Sequence, residues 1–180
     1  MAAVRVGWIG LGAMGAPLAA HVAAAGFALV VWSRSGRGLA RVPGATVVAG
    51  PRAVVEAADV VVTMLGGPDD VAAVWDELLA AAPPGRVLVD LTTSSASLAE
   101  RLAERAAAAG ATALDAPVTG GRKGAEDGTL GLMVGGDAAA LATARPVLAT
   151  FARAIHPIGG PGRGQLAKAR SEEHTSELQS

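Results

Sequence analysis

Three glycines in the segment GWIGLGAMG, Gly10, Gly12 and Gly15, stand at the Gly-x-Gly-x-x-Gly spacing that holds a diphosphate. Each has its own task. The first permits a tight turn, the second lets the backbone approach a phosphate, and the third lets a helix pack closely. Leu11, Ala13 and Met14 fill the loop between them. The chemistry is anion binding by backbone N–H groups at the positive end of a helix dipole. The alternative is a glycine-rich turn with no ligand. A second cluster follows about twenty residues on. The run VVWSRSGR puts Ser33, Arg34 and Ser35 where NAD-specific domains carry an acid for the ribose 2′-hydroxyl. A guanidinium and two hydroxyls suit a 2′-phosphate, so NADP(H) is expected over NAD(H), with Arg37 as a further contact. A solvated loop arginine is the plainer reading.

These residues need a scaffold, and the chain supplies one in its alternation. VRVGWI (4–9), ALVVW (28–32), ATVV (45–48), DVVVTML (59–65), RVLVDL (86–91) and ATALDA (111–116) read as buried strands. Ala-rich segments at 17–26, 52–58, 69–82 and 97–110 read as helices between them. Such alternation predicts an α/β fold of the doubly wound Rossmann type, a mostly parallel sheet covered on both faces. Met64 and Leu65 end the fourth strand, at the edge that faces a bound dinucleotide; a core role fits them equally. Beyond 116 the stretch 117–130 reads as too glycine-rich for a helix. A strand is expected at 130–136, a helix at 137–151 capped by Asp137, and a last strand at 152–158.

Composition narrows the function. The 180 residues include no cysteine, which excludes disulfides, thiolate metal sites and thiol nucleophiles. No apolar run is long enough to span a bilayer and no signal peptide is recognisable, so a cytoplasmic protein without a membrane partner is expected. No basic cluster is interleaved with aromatics, which argues against nucleic acid. No His/Asp/Glu spacing suggests a metal. His21 reads as structural; Lys123 could attract an acidic substrate, but a solvated loop charge is the plainer reading.

The order of four motifs, WIGLGAMGAPLAAHV, DLTTSS, DAPVTGGRKGAEDGTL and GPGRGQLAK, resembles the β-hydroxyacid dehydrogenases, relatives of 3-hydroxyisobutyrate dehydrogenase, from about residue 4 to 169. The resemblance implies a Rossmann domain, here 1–162, then a long interdomain helix, of which 163–170 is the start, and a second all-helical domain that is missing. It implies an NAD(P)-dependent oxidoreductase that passes hydride between cofactor and a small β-hydroxy acid or its semialdehyde. It places Thr93 near the nicotinamide, and Thr119, Gly120 and Gly121 on the substrate carboxylate. It makes Lys168 the catalytic lysine, in the pattern Gly162-x-Gly164-x-x-x-Lys168. Asp115 matches a family residue with a structural or a site role. The intact parent is expected to be a homo-oligomer. Imine reductases share the likeness but replace the lysine. A non-catalytic dinucleotide-binding module is the rival from another class.

The family pattern breaks after Lys168. Two asparagines are expected there; Ser171 and Glu172 occupy the places, and a carboxylate repels a carboxylate substrate. The composition changes too. The ending RSEEHTSELQS reads as the translation of a common sequencing adapter, and 171–180 is therefore expected to be a non-native tail, set apart from fold reasoning; a real C-terminal extension is the alternative. Without it the chain carries 15 basic and 13 acidic side chains. The fragment is expected to bind NADP(H), to turn over little or not at all, and to leave an apolar surface bare where the helix is cut.

Overall fold

Val-, Leu- and Ile-rich segments must bury both of their faces, and they do so side by side. The computed structural model describes residues 3–179. Strands β1 (Arg5–Ile9), β2 (Ala28–Trp32), β3 (Thr46–Val47), β4 (Val60–Thr63), β5 (Val87–Asp90) and β6 (Thr112–Asp115) run parallel in the order β3-β2-β1-β4-β5-β6. This is the doubly wound order, whose direction reverses between β1 and β4. Helices α1 (Gly15–Ala24), α2 (Pro51–Ala57), α3 (Pro68–Ala81) and α4 (Ala96–Ala108) cover the sheet.

Alternation along the central strands β1, β4 and β5 feeds two cores. Trp8, Val60, Val62 and Val89 face one side, where Leu18, Val22 and Phe151 lie. Ile9, Val61 and Leu88 face the other, with Val54, Trp75, Leu78 and Leu102. Each such aliphatic side chain contributes about 1.5–3 kcal/mol by leaving water. The Trp8 and Phe151 rings meet edge to face, 5.8 Å between centroids. The Trp8 Nε1 donates to the Gly10 carbonyl at 2.9 Å, so the core also braces the glycine turn.

The C-terminal part differs from the sequence expectation in two places. The stretch 117–130 is not an open loop. It holds β7 (Val118–Thr119) and a helix, α5 (Gly121–Asp127). Its glycines lie where a helix tolerates them: Gly120 (φ 122°) precedes it and Gly128 (φ 69°) ends it in the left-handed region. A Cβ at Gly124 would lie 2.9 Å from the Leu130 Cδ2, so any larger residue inside the helix would make the Leu130 side chain shift. Strand β8 (Leu130–Gly135) runs antiparallel to β6 and β7, and parallel to β9 (Ala152–Gly159). Helix α6 (Ala138–Leu148) is capped as expected, Asp137 accepting from the Ala140 N–H at 2.9 Å.

The second difference is at the end. Helix α7 (Arg163–Leu178) continues through the segment read as a non-native tail. Its Ser, Glu and Leu residues are compatible with a helix, but from Ala169 to Gln179 every residue is exposed. Among the described residues no broad apolar face is bared, contrary to expectation. Leu166 and Ala167 are half-buried, and the exposed large hydrophobic side chains among the described residues, Val47, Ile158 and Leu178, are scattered. No helix among the described residues is long and apolar enough to cross a membrane.

Candidate functional site

The glycine loop joins β1 to α1, and sterics assign each glycine. A Cβ at Gly10 (φ 101°) would collide with the Met64 carbonyl. One at Gly15 would collide with the Gly10 carbonyl, so the third glycine closes the loop on itself. A Cβ at Gly12 would meet no protein atom within 4 Å. Packing therefore explains Gly10 and Gly15, while the space over Gly12 is open, which fits a diphosphate lying against the backbone. Helix α1 begins at Gly15 with no side-chain cap, so the positive end of its dipole faces the loop; within the first turn the Ala16 N–H donates to the Gly12 carbonyl (3.0 Å) and Pro17 has no N–H.

A cleft of about 520 Å³ opens beside this loop. Gly10, Leu11, Gly12, Ala13, Met14 and Gly15 line it, with Ser33, Arg34, Ser35 and Arg37 from the end of β2 and Met64 and Leu65 from the end of β4. One residue expected beside the cofactor, Thr93, is exposed and lies outside these walls. Sequence reasoning missed Ile9, Trp32, Gly66, Ala73, Val74 and, above all, Asp70. The Arg34 guanidinium is largely exposed and lies 3.9 Å from the Asp70 carboxylate of α3. The absence of an acid at the end of β2 is thus offset by an acid from another helix. The serines shape the turn: Ser33 Oγ donates to the Arg37 carbonyl (3.1 Å), and the Arg37 N–H donates to Ser35 Oγ (3.3 Å).

The buried polar and charged side chains among the described residues, Thr63, Asp90, Thr92, Asp115 and Gln165, belong to one network at the C-terminal ends of β4, β5 and β6. Trp75 Nε1 donates to Thr63 Oγ1 (3.1 Å), which donates to Asp90 Oδ1 (2.9 Å). The Thr92 N–H donates to the same carboxylate (3.1 Å), and the Leu65 N–H donates to Thr92 Oγ1 (2.9 Å). Gln165 Nε2 donates to the Thr92 carbonyl (2.8 Å), while its Oε1 accepts from the Ser94 N–H (2.9 Å). The network therefore joins the cleft wall at Leu65 to helix α7. Burial pushes Asp90 up to about 6.

Asp115 anchors that helix. Its carboxylate accepts from the backbone N–H groups of Gly162 (2.8 Å) and Gln165 (2.9 Å). Burial raises its pKa, and these bonds oppose the rise. Gly162 (φ 83°) turns the chain into α7, and a Cβ on Gly164 would collide with the Met133 carbonyl. The two glycines before Lys168 thus let the helix start lie directly on β6 and β8. Lys168 stands one turn further on, its side chain 15% exposed, with Nζ 3.1 Å from Glu172 Oε1. Thr119 ends β7, and Gly120 and Gly121 (φ 61°) open α5. His21, read as structural, ties α1 to α5: its Nε2 donates to the carbonyls of Ala125 (3.1 Å) and Glu126 (3.0 Å). Among the described residues no group of three or more His, Asp or Glu is placed to hold a metal ion.

Sheet order, open glycine loop and cleft define a Rossmann-type dinucleotide-binding domain. Comparison with known proteins makes this specific. Residues 5–160 match the NAD binding domain of 6-phosphogluconate dehydrogenase. The chain is 36% identical over 169 residues to "Probable 3-hydroxyisobutyrate dehydrogenase-like 3, mitochondrial" of Arabidopsis thaliana, covering 91% of this chain and 53% of that protein. It is 39% identical over 169 residues to the NAD-dependent L-serine dehydrogenase of Pseudomonas aeruginosa, covering 91% and 57%. The solved 3-hydroxyisobutyrate dehydrogenase of Mycobacterium tuberculosis with L-serine superposes with a TM-score of 0.90 at 37% identity, covering 94% of this chain and 59% of the other. The chain belongs to the 3-hydroxyisobutyrate dehydrogenase (β-hydroxyacid dehydrogenase) family, of which it carries the dinucleotide-binding domain. It spans little more than half the length of these relatives.

Proposed function

We propose that the cleft binds a nicotinamide dinucleotide, NADP(H) in preference to NAD(H), and that the intact protein transfers hydride between it and a small β-hydroxy acid or the corresponding semialdehyde. The observation that carries the reading is the glycine loop itself: the one glycine that no protein atom requires, Gly12, faces open space beside the cleft. The N–H groups of the glycine loop and the positive end of α1 hold the phosphates. Arg34 and Arg37 take the 2′-phosphate, with Asp70 weakening that preference. When bound, the dinucleotide supplies or accepts hydride.

The remaining work falls to the chain's own side chains. Alcohol oxidation requires removal of the hydroxyl proton, and carbonyl reduction requires its delivery. The Lys168 amine does both at the substrate oxygen. Thr119 Oγ1 and the N–H groups of Gly120 and Gly121 hold the carboxylate. Asp115 and Gln165 fix the helix that carries the lysine. Retention of a lysine here disfavours imine reduction. In this 180-residue chain the Lys168 ammonium is paired with Glu172, and that pair favours a second reading for the fragment: a dinucleotide-binding module with little or no turnover.

Affinities of NADPH and NADH for the wild-type chain, Arg34→Ala and Asp70→Asn test the cofactor reading. Preference for NADPH should fall in the first variant and rise in the second; equal affinities throughout would overturn it. Semialdehyde-dependent NADPH oxidation by the wild-type chain should be negligible, and rates normal for an enzyme would refute the account of the fragment. Resequencing the source DNA beyond the Lys168 codon tests the intact protein: an Asn pair followed by a helical domain is expected, and an encoded stop after RSEEHTSELQS would remove the catalytic reading.

A further inference from the structure

A second groove, of about 300 Å³, shares Gly12 and Ala13 with the main cleft and is further lined by Arg41, Arg122, Lys123 and Glu126. Three cations and one carboxylate make it electropositive. The carboxylate is already engaged: Arg41 donates to both Glu126 oxygens, at 3.3 and 2.9 Å, and this bond holds the Glu126 pKa below its ordinary value. Lys123 pairs with Asp127 at 2.7 Å on the exposed side of α5. Arg122 makes no hydrogen bond or ion pair among the described residues, although it stands beside two other cations. Such a guanidinium is poised for an anion from solution.

The placement of α5 is not accidental. His21 clamps its C-terminal turn onto α1, and the Arg41–Glu126 pair ties it to the turn at Leu39–Arg41. Both anchors leave the first turn of α5, with Arg122, facing the loop whose open glycine is Gly12. A diphosphate lying over Gly12 and Ala13 touches the edge shared by the two hollows.

We propose that Arg122, supported by Lys123, forms a side-chain wall of the phosphate site, so that the diphosphate of the bound dinucleotide is gripped between the glycine loop and α5. This rests on the dinucleotide reading above. It assigns to a segment expected to serve only the substrate carboxylate a second role in holding the cofactor. Two cations opposite a dianion also make binding sensitive to salt.

The test is equilibrium binding of NADPH and of ADP-ribose, which keeps the diphosphate but lacks the nicotinamide, to the wild-type chain, Arg122→Gln and Arg122→Gln/Lys123→Gln, at 50 and 300 mM KCl. Both side chains are exposed, and circular dichroism confirms folding of each variant. The single variant should weaken both ligands about tenfold, the double variant further, and both should flatten the salt dependence. Wild-type binding with unchanged affinity and salt dependence in the variants overturns this inference alone. Loss of affinity only for a carboxylate substrate, with NADPH and ADP-ribose unaffected, assigns the groove to the substrate and also overturns it. Failure of the folded wild-type chain to bind either ligand removes the dinucleotide reading and this inference with it.

Discussion

Asp90→Asn isolates a titration buried beneath the cleft. Asp90 is raised from 3.8 to about 6, chiefly by burial; bonds from Thr92 and Thr63 oppose the rise and the nearby Asp115 adds to it. In the unfolded chain the group titrates near its ordinary value. The folded chain therefore keeps a proton that the unfolded chain has released between these limits. The stabilisation is fully present well below about pH 4 and is lost as pH rises through about 6. A shift of about two units corresponds to about 3 kcal/mol. Asparagine retains an acceptor for Thr63 Oγ1 and the Thr92 N–H and does not titrate. Urea denaturation of both proteins from pH 4 to 7 gives the difference in unfolding free energy. Wild type minus variant should fall by about 2.5 kcal/mol from pH 4 to 7, the rest of the loss lying below pH 4. The difference also removes Asp59 and Glu126, whose pKa values are lowered, first by the Arg5 N–H and the Arg41 guanidinium respectively; their stabilisation is lost as pH falls, the opposite sense. A flat or rising difference would refute the reasoning.

Three further substitutions separate packing from binding. Gly10→Ala meets the Met64 carbonyl and a left-handed φ, and should cost on the order of 3 kcal/mol in urea denaturation. Gly12→Ala meets nothing in the protein and should leave stability within about 0.5 kcal/mol, while weakening NADPH at least about tenfold in a fluorescence titration. Gln165→Leu strands the Ser94 N–H and the Thr92 carbonyl, a loss of about 2–4 kcal/mol readable by thermal or urea melts.

Much of the scaffold was legible because each buried strand is a short apolar run closed by a turn or a polar residue. Strand β2 is found where expected and β4 to β6 within two residues of it. The glycine loop was legible because its spacing is local. The helix α5 was not, since glycine count masked the fact that its glycines sit at the ends or against Leu130. The Asp70 carboxylate was hidden because it reaches Arg34 only after α3 folds over the strand ends. The buried network was likewise non-local: Thr63, Asp90 and Asp115 each close an apolar strand, a signal visible in sequence, but strand order alone makes them neighbours. Gln165 looked like one polar residue in the first turn of a helix. Its meaning depends on Thr92 and Ser94, which lie in the segment after another strand.

The central claim is that this chain folds into a domain whose open glycine loop binds a nicotinamide dinucleotide. Titration of the purified 180-residue chain with NADPH, followed by enhancement and shift of the nicotinamide fluorescence and repeated with Gly12→Ala, tests it directly. The account predicts saturable one-to-one binding by the wild type and its loss in the equally stable variant. A folded wild-type chain that leaves the fluorescence unchanged, or a variant that binds as well as the wild type, would contradict it.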